Sequence, residues 1–345
     1  MSEVLIRKLE RRNPFRITQL PPAVAFSRYA QLHPSPFARR WLTKWAKAAI
    51  TFAHSYMGFA APGVMEMEWD SGTLELTIDA ANSHYGHLYR GGEVQEYEPR
   101  VSALIDTLVA GADCFLDVGA NWGYYALFAS TNPAFQGITH AFEPMVETHD
   151  DMKRLVNQAG LGERIICHQT ALSDTTTTMA MIRGIHSALA RLDENATGPR
   201  VPVQRLDDLD IPTPDVMKID VEGHEARLLA GGRQAIAKGR PMVVFESLTD
   251  RNEPARTLEP FTELTALGYR FFQPLWQIAD GLSDDDSLVT GNAAATLALR
   301  EFTPDQRLDL GGDMDVLACH RESIARLEDL FSPVVELAEI LPGGT

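Results

Sequence analysis

Apolar residues run along this chain in short blocks, and the period of the blocks changes with position. Trp41, Trp45, Ala48, Ala49 and Phe52 recur at steps of three and four, with Arg40, Lys44 and Lys47 on another side, which predicts an amphipathic helix. Val64–Trp69 and Thr73–Ile78 alternate about Asp70-Ser71-Gly72, the pattern of a β-hairpin. Val101, Leu104, Ile105 and Leu108 form the apolar face of a helix over Glu98–Ala110, with Pro99 in the first turn, where a missing N–H costs nothing. Beyond residue 113 the rhythm becomes strand, loop, helix, strand. Cys114–Val118, Ile138–Phe142, Arg164–His168, Val216–Ile219, Met242–Phe245, Tyr269–Phe272 and Met314–Cys319 read as strands, with helices after Gly123 and over Asp150–Gln158. Such alternation predicts an α/β fold with a mostly parallel sheet and helices on both faces.

Composition narrows the class. The chain has 345 residues, 45% hydrophobic and 23% charged, which is globular composition. Its three cysteines exclude a disulfide framework or a four-thiolate zinc site and point to a reducing, cytoplasmic setting. No apolar run approaches the ~18 residues of a membrane span, and no secretory signal is evident. A net charge of −16 argues against nucleic acid as a partner. That charge is uneven: residues 1–50 carry +8 and the remainder −24. The basic head predicts a separate role as a helical lid or a dimer contact in a homo-oligomer, with peripheral contact to an anionic acceptor or membrane as the alternative.

The segment richest in chemistry is Phe115-Leu-Asp117-Val-Gly119-Ala-Asn121-Trp-Gly123-Tyr-Tyr. An apolar strand runs into Asp117, and two glycines bracket the turn into a helix, where the lack of a Cβ lets a ligand approach the backbone. This is the strand-end crevice in which open α/β sheets bind ligands. The spacing is not that of the dinucleotide fingerprint G-x-G-x-x-G, which argues against a nicotinamide-dependent oxidoreductase. A carboxylate beside the first glycine repels pyrophosphate and suits a cationic ligand such as S-adenosylmethionine. Glu143, 24 residues beyond Gly119 at the next strand end, is placed to accept hydrogen bonds from two ribose hydroxyls.

Taken in order, Tyr97-Glu98, the Asp117 block, Ala141-Phe-Glu-Pro, Ala171-Leu-Ser-Asp, Leu206-Asp-Asp-Leu, Met217-Lys-Ile-Asp-Val-Glu-Gly-His-Glu, Val244-Phe-Glu and Met314-Asp-Val-Leu-Ala resemble the FkbM-type S-adenosylmethionine-dependent methyltransferases over about two-thirds of the chain. The resemblance implies a Rossmann-like class I methyltransferase sheet at 97–322; outside that core, 1–96 reads as a helical and hairpin extension and 323–345 as a tail helix. It places Asp117, Gly119, Asn121 and Gly123 at the methionine end of the cofactor, Glu143 at the ribose, and Ala171, Leu172 and Ser173 near the adenine. The acceptor it implies is a small-molecule hydroxyl on a sugar, glycolipid or polyketide-type compound.

For the chemistry, Asp220 ends one strand and Glu246 ends its expected neighbour, so the two approach one another. Either His224 or Asp220 removes the acceptor's proton as general base, or Asp220, Glu246 and His224 bind a divalent cation that lowers the hydroxyl's pKa. General-base chemistry is preferred, because no ligand-like His or Asp cluster accompanies them. Lys218, unusual inside an apolar strand, either pairs with a carboxylate or turns outward. Glu222, His87 (in Ser-His-Tyr-Gly-His) and His186 (in an inserted hairpin) are candidates for substrate contact. A catalytically silent scaffold acting through its N-terminal helices is the alternative function.

Overall fold

The computed structural model describes residues 4–20, 25–26, 29–30, 33–57, 62–69, 72–79, 85, 88, 96–182, 191–193, 198–250, 252–289 and 293–334. His84, His87 and His186 therefore lie outside the described residues, as do Asp70 and Ser71 of the hairpin turn.

The chain forms two compact units, Met1–Arg11 with Glu98–Val156 and Gly160–Thr345, and Arg12–Tyr97 with Asn157–Ala159. In the larger unit five parallel strands make the centre of the main sheet: β5 (Cys114–Val118), β6 (Ile138–Phe142), β7 (Ile165–His168), β12 (Val216–Ile219) and β13 (Met242–Ser247). Their spatial order is β7-β6-β5-β12-β13. Every residue of β5 and β12 is buried, which is why they read as unbroken apolar runs rather than as alternation. Strand order reverses between β5 and β12, so the crevice at their carboxyl ends is the place where such a sheet takes a ligand. The edge beyond β13 turns antiparallel through β17 (Met314–His320), β14 (Tyr269–Ile278) and β16 (Ala294–Phe302), with the short β15 (Gly281–Ser283) paired to β14.

The sheet then goes further than the sequence pattern suggests. β1 (Val4–Glu10) pairs with β16, Val4 opposite Arg300, and β18 (Ser332–Val334) pairs with β1. Residues 4–10 thus belong with the large sheet and not with the extension in which the sequence places them. Likewise, the tail predicted as helix has only seven helical residues, Ile324–Leu330, before it returns to the sheet as β18; residues 335–345 lie outside the described ones. Unpaired edge backbone attracts a strand whatever the local charge pattern.

A smaller sheet, β10 (Arg191–Asp193), β9 (Thr177–Ile182), β11 (Arg200–Gln204) and β8 (Ala171–Leu172), is inserted between β7 and β12. The second unit contains α1 (Pro36–Met57) and a three-stranded sheet of β2 (Phe15–Gln19), β3 (Pro62–Trp69) and β4 (Gly72–Asp79), the last two being the predicted hairpin.

Helices α2 (Pro99–Val109), α3 (Tyr124–Ser130), α4 (Val146–Gln158), α5 (Glu225–Gly231), α6 (Arg233–Gly239) and α7 (Pro254–Ala266) follow the strands, and α8 (Ile324–Leu330) follows β17. On α7, Phe261 meets Phe245, Phe271 and Phe302 edge to face at 5.4, 4.9 and 5.9 Å, tying the helix to β13, β14 and β16. Arg307 is fully buried; it donates to Ser247 Oγ (2.7 Å), Ser247 O (2.7 Å) and Gly312 O (2.8 Å), pinning the end of β13 just past Glu246. Truncating Phe261→Ala should lower unfolding free energy by about 3–5 kcal/mol in urea titration; a loss under about 1 kcal/mol would contradict this packing.

Candidate functional site

The loop leaving β5 is pressed against its neighbours. Gly119 has φ 80°, and a Cβ there would collide with the Asp220 carbonyl oxygen; Gly119 and Ala120 both donate to Phe142 O at 3.0 Å. Gly123, at φ 88°, would bring a Cβ to 2.8 Å from Met152 Cγ. Asn121, not a glycine, also has a left-handed φ of 53°; its Oδ1 accepts from Trp122 N at 2.8 Å and its N–H donates to Glu143 Oε2 at 3.1 Å. The two glycines are needed for a backbone path that brings the end of β6 to the loop.

Glu143 also accepts from Met145 N at 2.8 Å, and burial pushes its carboxyl up to about 7, against the pull of those two donors. Asp117 is fully buried. One oxygen accepts from Ala126 N at 3.1 Å, on the first turn of α3; the other has no hydrogen-bond partner among the described residues. Burial raises this carboxyl to about 6. Ala171 and Leu172 lie buried in β8 alongside Val203 and Gln204 of β11. Ser173 Oγ donates to Asp174 Oδ1 (3.0 Å) and stands 2.8 Å from His224 Nε2, so in this network the imidazole N–H points to the serine.

On the other side of the switch point, Lys218 resolves toward pairing. Its Nζ lies 2.8 Å from Asp220 Oδ2 and 4.9 Å from the Tyr125 ring centroid. Tyr125 Oη donates to Glu98 Oε2 at 2.6 Å, and Glu98 itself holds a left-handed φ of 40° at the start of α2. Burial opposes the Lys218 charge, but Asp220, Glu98 and Asp117 more than offset it and keep the ammonium above its usual range.

Asp220 is a Coulombic neighbour of seven other carboxyl groups: Glu98, Asp117, Glu143, Glu222, Glu225, Glu246 and Asp315. Against them stand Lys218 and Arg100, which pairs with Asp315 at 3.1 Å. The result is an excess of negative charge with too few cations. Burial first, and then mutual repulsion, lift Glu222 to about 7 and Glu246 to about 8, while burial lifts Glu98 to about 7. Glu246 sits opposite Asp315 in the β13–β17 register. Glu225 turns back instead to the loop, accepting from Gly223 N (3.1 Å) and Val221 N (3.3 Å).

The structure thus gathers Asp117, Asp220, Glu222 and Glu246 into one electrostatic neighbourhood, with Glu143 at its edge. His224 is committed to Ser173 instead. Glu98, Tyr125 and Asp315 lie in the motif blocks without a role assigned to them there, and Arg100 lies outside the blocks. The available signal was the presence of charged residues on strands and helices otherwise filled with apolar side chains, as in Met314-Asp-Val-Leu. Among the described residues, no three His, Cys, Asp or Glu side chains converge in a metal-holding geometry. The buried, unpartnered oxygen of Asp117 and the uncompensated carboxylates fit a cationic ligand such as S-adenosylmethionine.

These raised pKa values make stability depend on pH. The folded state keeps protons that the unfolded chain, with ordinary carboxyls near 4.5, has already released, so stabilisation fades as pH passes through the folded values. The lowered pKa values of His140 and His168 act in the opposite direction, but only up to their ordinary value of 6.5. Urea unfolding of the ligand-free protein should therefore show stability falling by about 2 kcal/mol or more between pH 7 and 8.5. A flat or rising profile would contradict the cluster.

Residues 117–271 match the methyltransferase FkbM domain family model. No curated protein matches the sequence. Among solved structures, the chain is similar to methyltransferase FkbM from Methylobacillus flagellatus KT at 17% identity and a TM-score of 0.36, over 81% of this chain and 58% of that one. An O-methyltransferase from Bacillus cereus in complex with SAH matches at 14% identity and a TM-score of 0.35, over 59% of this chain and 82% of that one. An S-adenosylmethionine-dependent O-methyltransferase from Thermotoga maritima matches at 14% identity and a TM-score of 0.34, over 68% and 76%. This chain spans little more than half the length of the Methylobacillus protein. The family match begins at the buried Asp117 and ends in β14, enclosing the switch point and both strand ends that carry Asp220 and Glu246, so the chain carries a methyltransferase FkbM domain, of an S-adenosylmethionine-dependent family, across residues 117–271.

Proposed function

We propose that this protein is an O-methyltransferase acting on a hydroxyl of a small molecule, a sugar, glycolipid or polyketide-type acceptor. The observation that carries the proposal is Glu246: a carboxyl lifted to about 8 at the end of β13, next to the strand that ends in the Lys218–Asp220 pair. A general base works best when its pKa lies near the working pH.

In this reading Asp117, the Gly119–Gly123 loop and Glu143 hold the cofactor, with Ala171, Leu172 and Ser173 beside its adenine. When bound, S-adenosylmethionine supplies an electrophilic methyl group on a sulfonium. Lys218 holds the Asp220 side chain in place through their 2.8 Å ion pair, and the pair lies beside the acceptor's hydroxyl, whose single O–H points to Glu246. Glu246 takes the hydroxyl proton as the oxygen bonds to carbon, and releases it to water afterwards. Glu222, left-handed at φ 55° and held near 7, stands beside the acceptor. His224 supports Ser173 on the cofactor side and is not the base. Methyl transfer asks little more of a protein than alignment and proton removal.

The test is mass spectrometry for gain of one methyl group across a panel of hydroxyl acceptors, followed by kinetics of Glu246→Gln on the acceptor found. The variant should lose about 10²–10⁴-fold in kcat, with S-adenosylmethionine affinity within about threefold of the parent. For the parent, kcat should rise with pH and level off above about 8. Retention of kcat within tenfold, or an acceptor methylated on nitrogen only, would overturn the reading.

A further inference from the structure

The N-terminal helix α1 (Pro36–Met57) turns aromatic side chains to solvent. At about 100° per residue, Phe37, Trp41 and Trp45 lie along one stripe and Ala46 lies on the other side. Among the helix's described side chains, the buried one is Ala46, 6% exposed, whereas Phe37, Trp41 and Trp45 are 83, 56 and 60% exposed. Trp41 and Trp45 stand together, ring centroids 6.1 Å apart. Arg40 and Lys44, both exposed, fall along one edge of the same stripe. Just before the helix, Phe26 and Tyr29 are 47 and 62% exposed; the five together are all of the large aromatic side chains found exposed among the described residues.

The stretch of sequence that carries this stripe has charges of one sign. From Arg11 to Met65 the sequence contains eight Arg and Lys residues and no Asp or Glu, within a protein whose net charge is −16. A protein partner displays charges of both signs and is met by both. A segment emptied of acids along 55 residues matches a surface of uniform negative charge. Tryptophan and tyrosine rings, apolar with one polar edge, settle at the boundary of lipid headgroup and acyl chain, and Arg and Lys beside them reach the headgroup phosphates. No helix among the described residues is long and apolar enough to cross a membrane.

We propose that α1 is a peripheral anchor that lies flat on an anionic lipid bilayer, with Phe37, Trp41 and Trp45 entering the interface and Arg40 and Lys44 pairing with phosphates. A basic amphipathic helix bearing aromatic residues binds in this way, by apolar burial added to electrostatic attraction. The anchor does not depend on the reaction assigned above.

The experiment is co-sedimentation of the full chain with vesicles of phosphatidylcholine alone or with 30% phosphatidylglycerol (about the anionic content that gives a sizeable surface potential), at low and at about 0.5 M salt. Binding to the anionic vesicles should exceed binding to neutral ones by at least about tenfold and fall with salt as the charges are screened. Tryptophan emission should shift to the blue on binding. The pair Trp41→Ser with Trp45→Ser, and separately Arg40→Glu with Lys44→Glu, should each weaken binding by about tenfold or more. Because all four side chains are exposed, thermal unfolding and S-adenosylmethionine binding should stay unchanged in both pairs, which separates lost anchoring from lost folding. Equal binding to the two vesicle types, no binding, or indifference to both pairs would overturn the proposal. So would a dimer in analytical ultracentrifugation that Trp41→Ser with Trp45→Ser converts to monomer, since the stripe would then be a subunit contact.

Discussion

Everything at the strand ends depends on one buried ammonium group. Lys218 lies inside a central strand, 6% exposed, where an unpaired charge would be expelled or neutralised. Asp220 holds it at 2.8 Å, the Tyr125 ring lies beneath it, and Glu98 and Asp117 act on it from two other elements. One cation cannot balance the carboxylates that converge there, even with Arg100 at the edge. The site is therefore electrostatically incomplete, and several carboxyls keep their protons near neutral pH. In the function proposed above, a cationic ligand completes it, which links the fold's central ion pair to the chemistry of a sulfonium cofactor.

Backbone geometry cooperates with the charges. Among the described residues, three of the four non-glycine positions with left-handed φ, Glu98, Asn121 and Glu222, belong to this neighbourhood. Such conformations cost on the order of 1 kcal/mol or more and persist where surrounding contacts enforce them. At Glu98 the enforcing contact is the Tyr125 hydroxyl, and at Asn121 it is the Glu143 carboxylate.

Much of this was legible in the sequence, for a physical reason. Cys114–Val118, Ile138–Phe142 and Val216–Ile219 appear in the structure with the predicted bounds, because central parallel strands are buried on both faces and read as short apolar runs. The glycine turn and the carboxylates at strand ends were readable because local backbone demands show in local residues. β1 was hidden, since Val-Leu-Ile-Arg-Lys-Leu-Glu reads as a basic segment until β16 lies beside it. β16 itself, rich in alanine, carries no strand signal of its own. The roles of Glu98, Tyr125 and Asp315 come from elements far apart in the chain, and periodicity does not tell which elements become neighbours. The helix at 36–57 shows the remaining limit: spacing revealed its two faces, but which one turns to solvent is decided by tertiary packing.

The most direct test of the central account is titration calorimetry of S-adenosylmethionine binding at pH 7 in buffers of different ionisation enthalpy. A cation entering this site lowers the raised carboxyl pKa values, so binding should release protons, and affinity should rise between pH 6 and 8. Binding that takes up protons, or that exchanges none, would contradict the claim that an excess of buried carboxylate around Lys218 is what receives the cofactor.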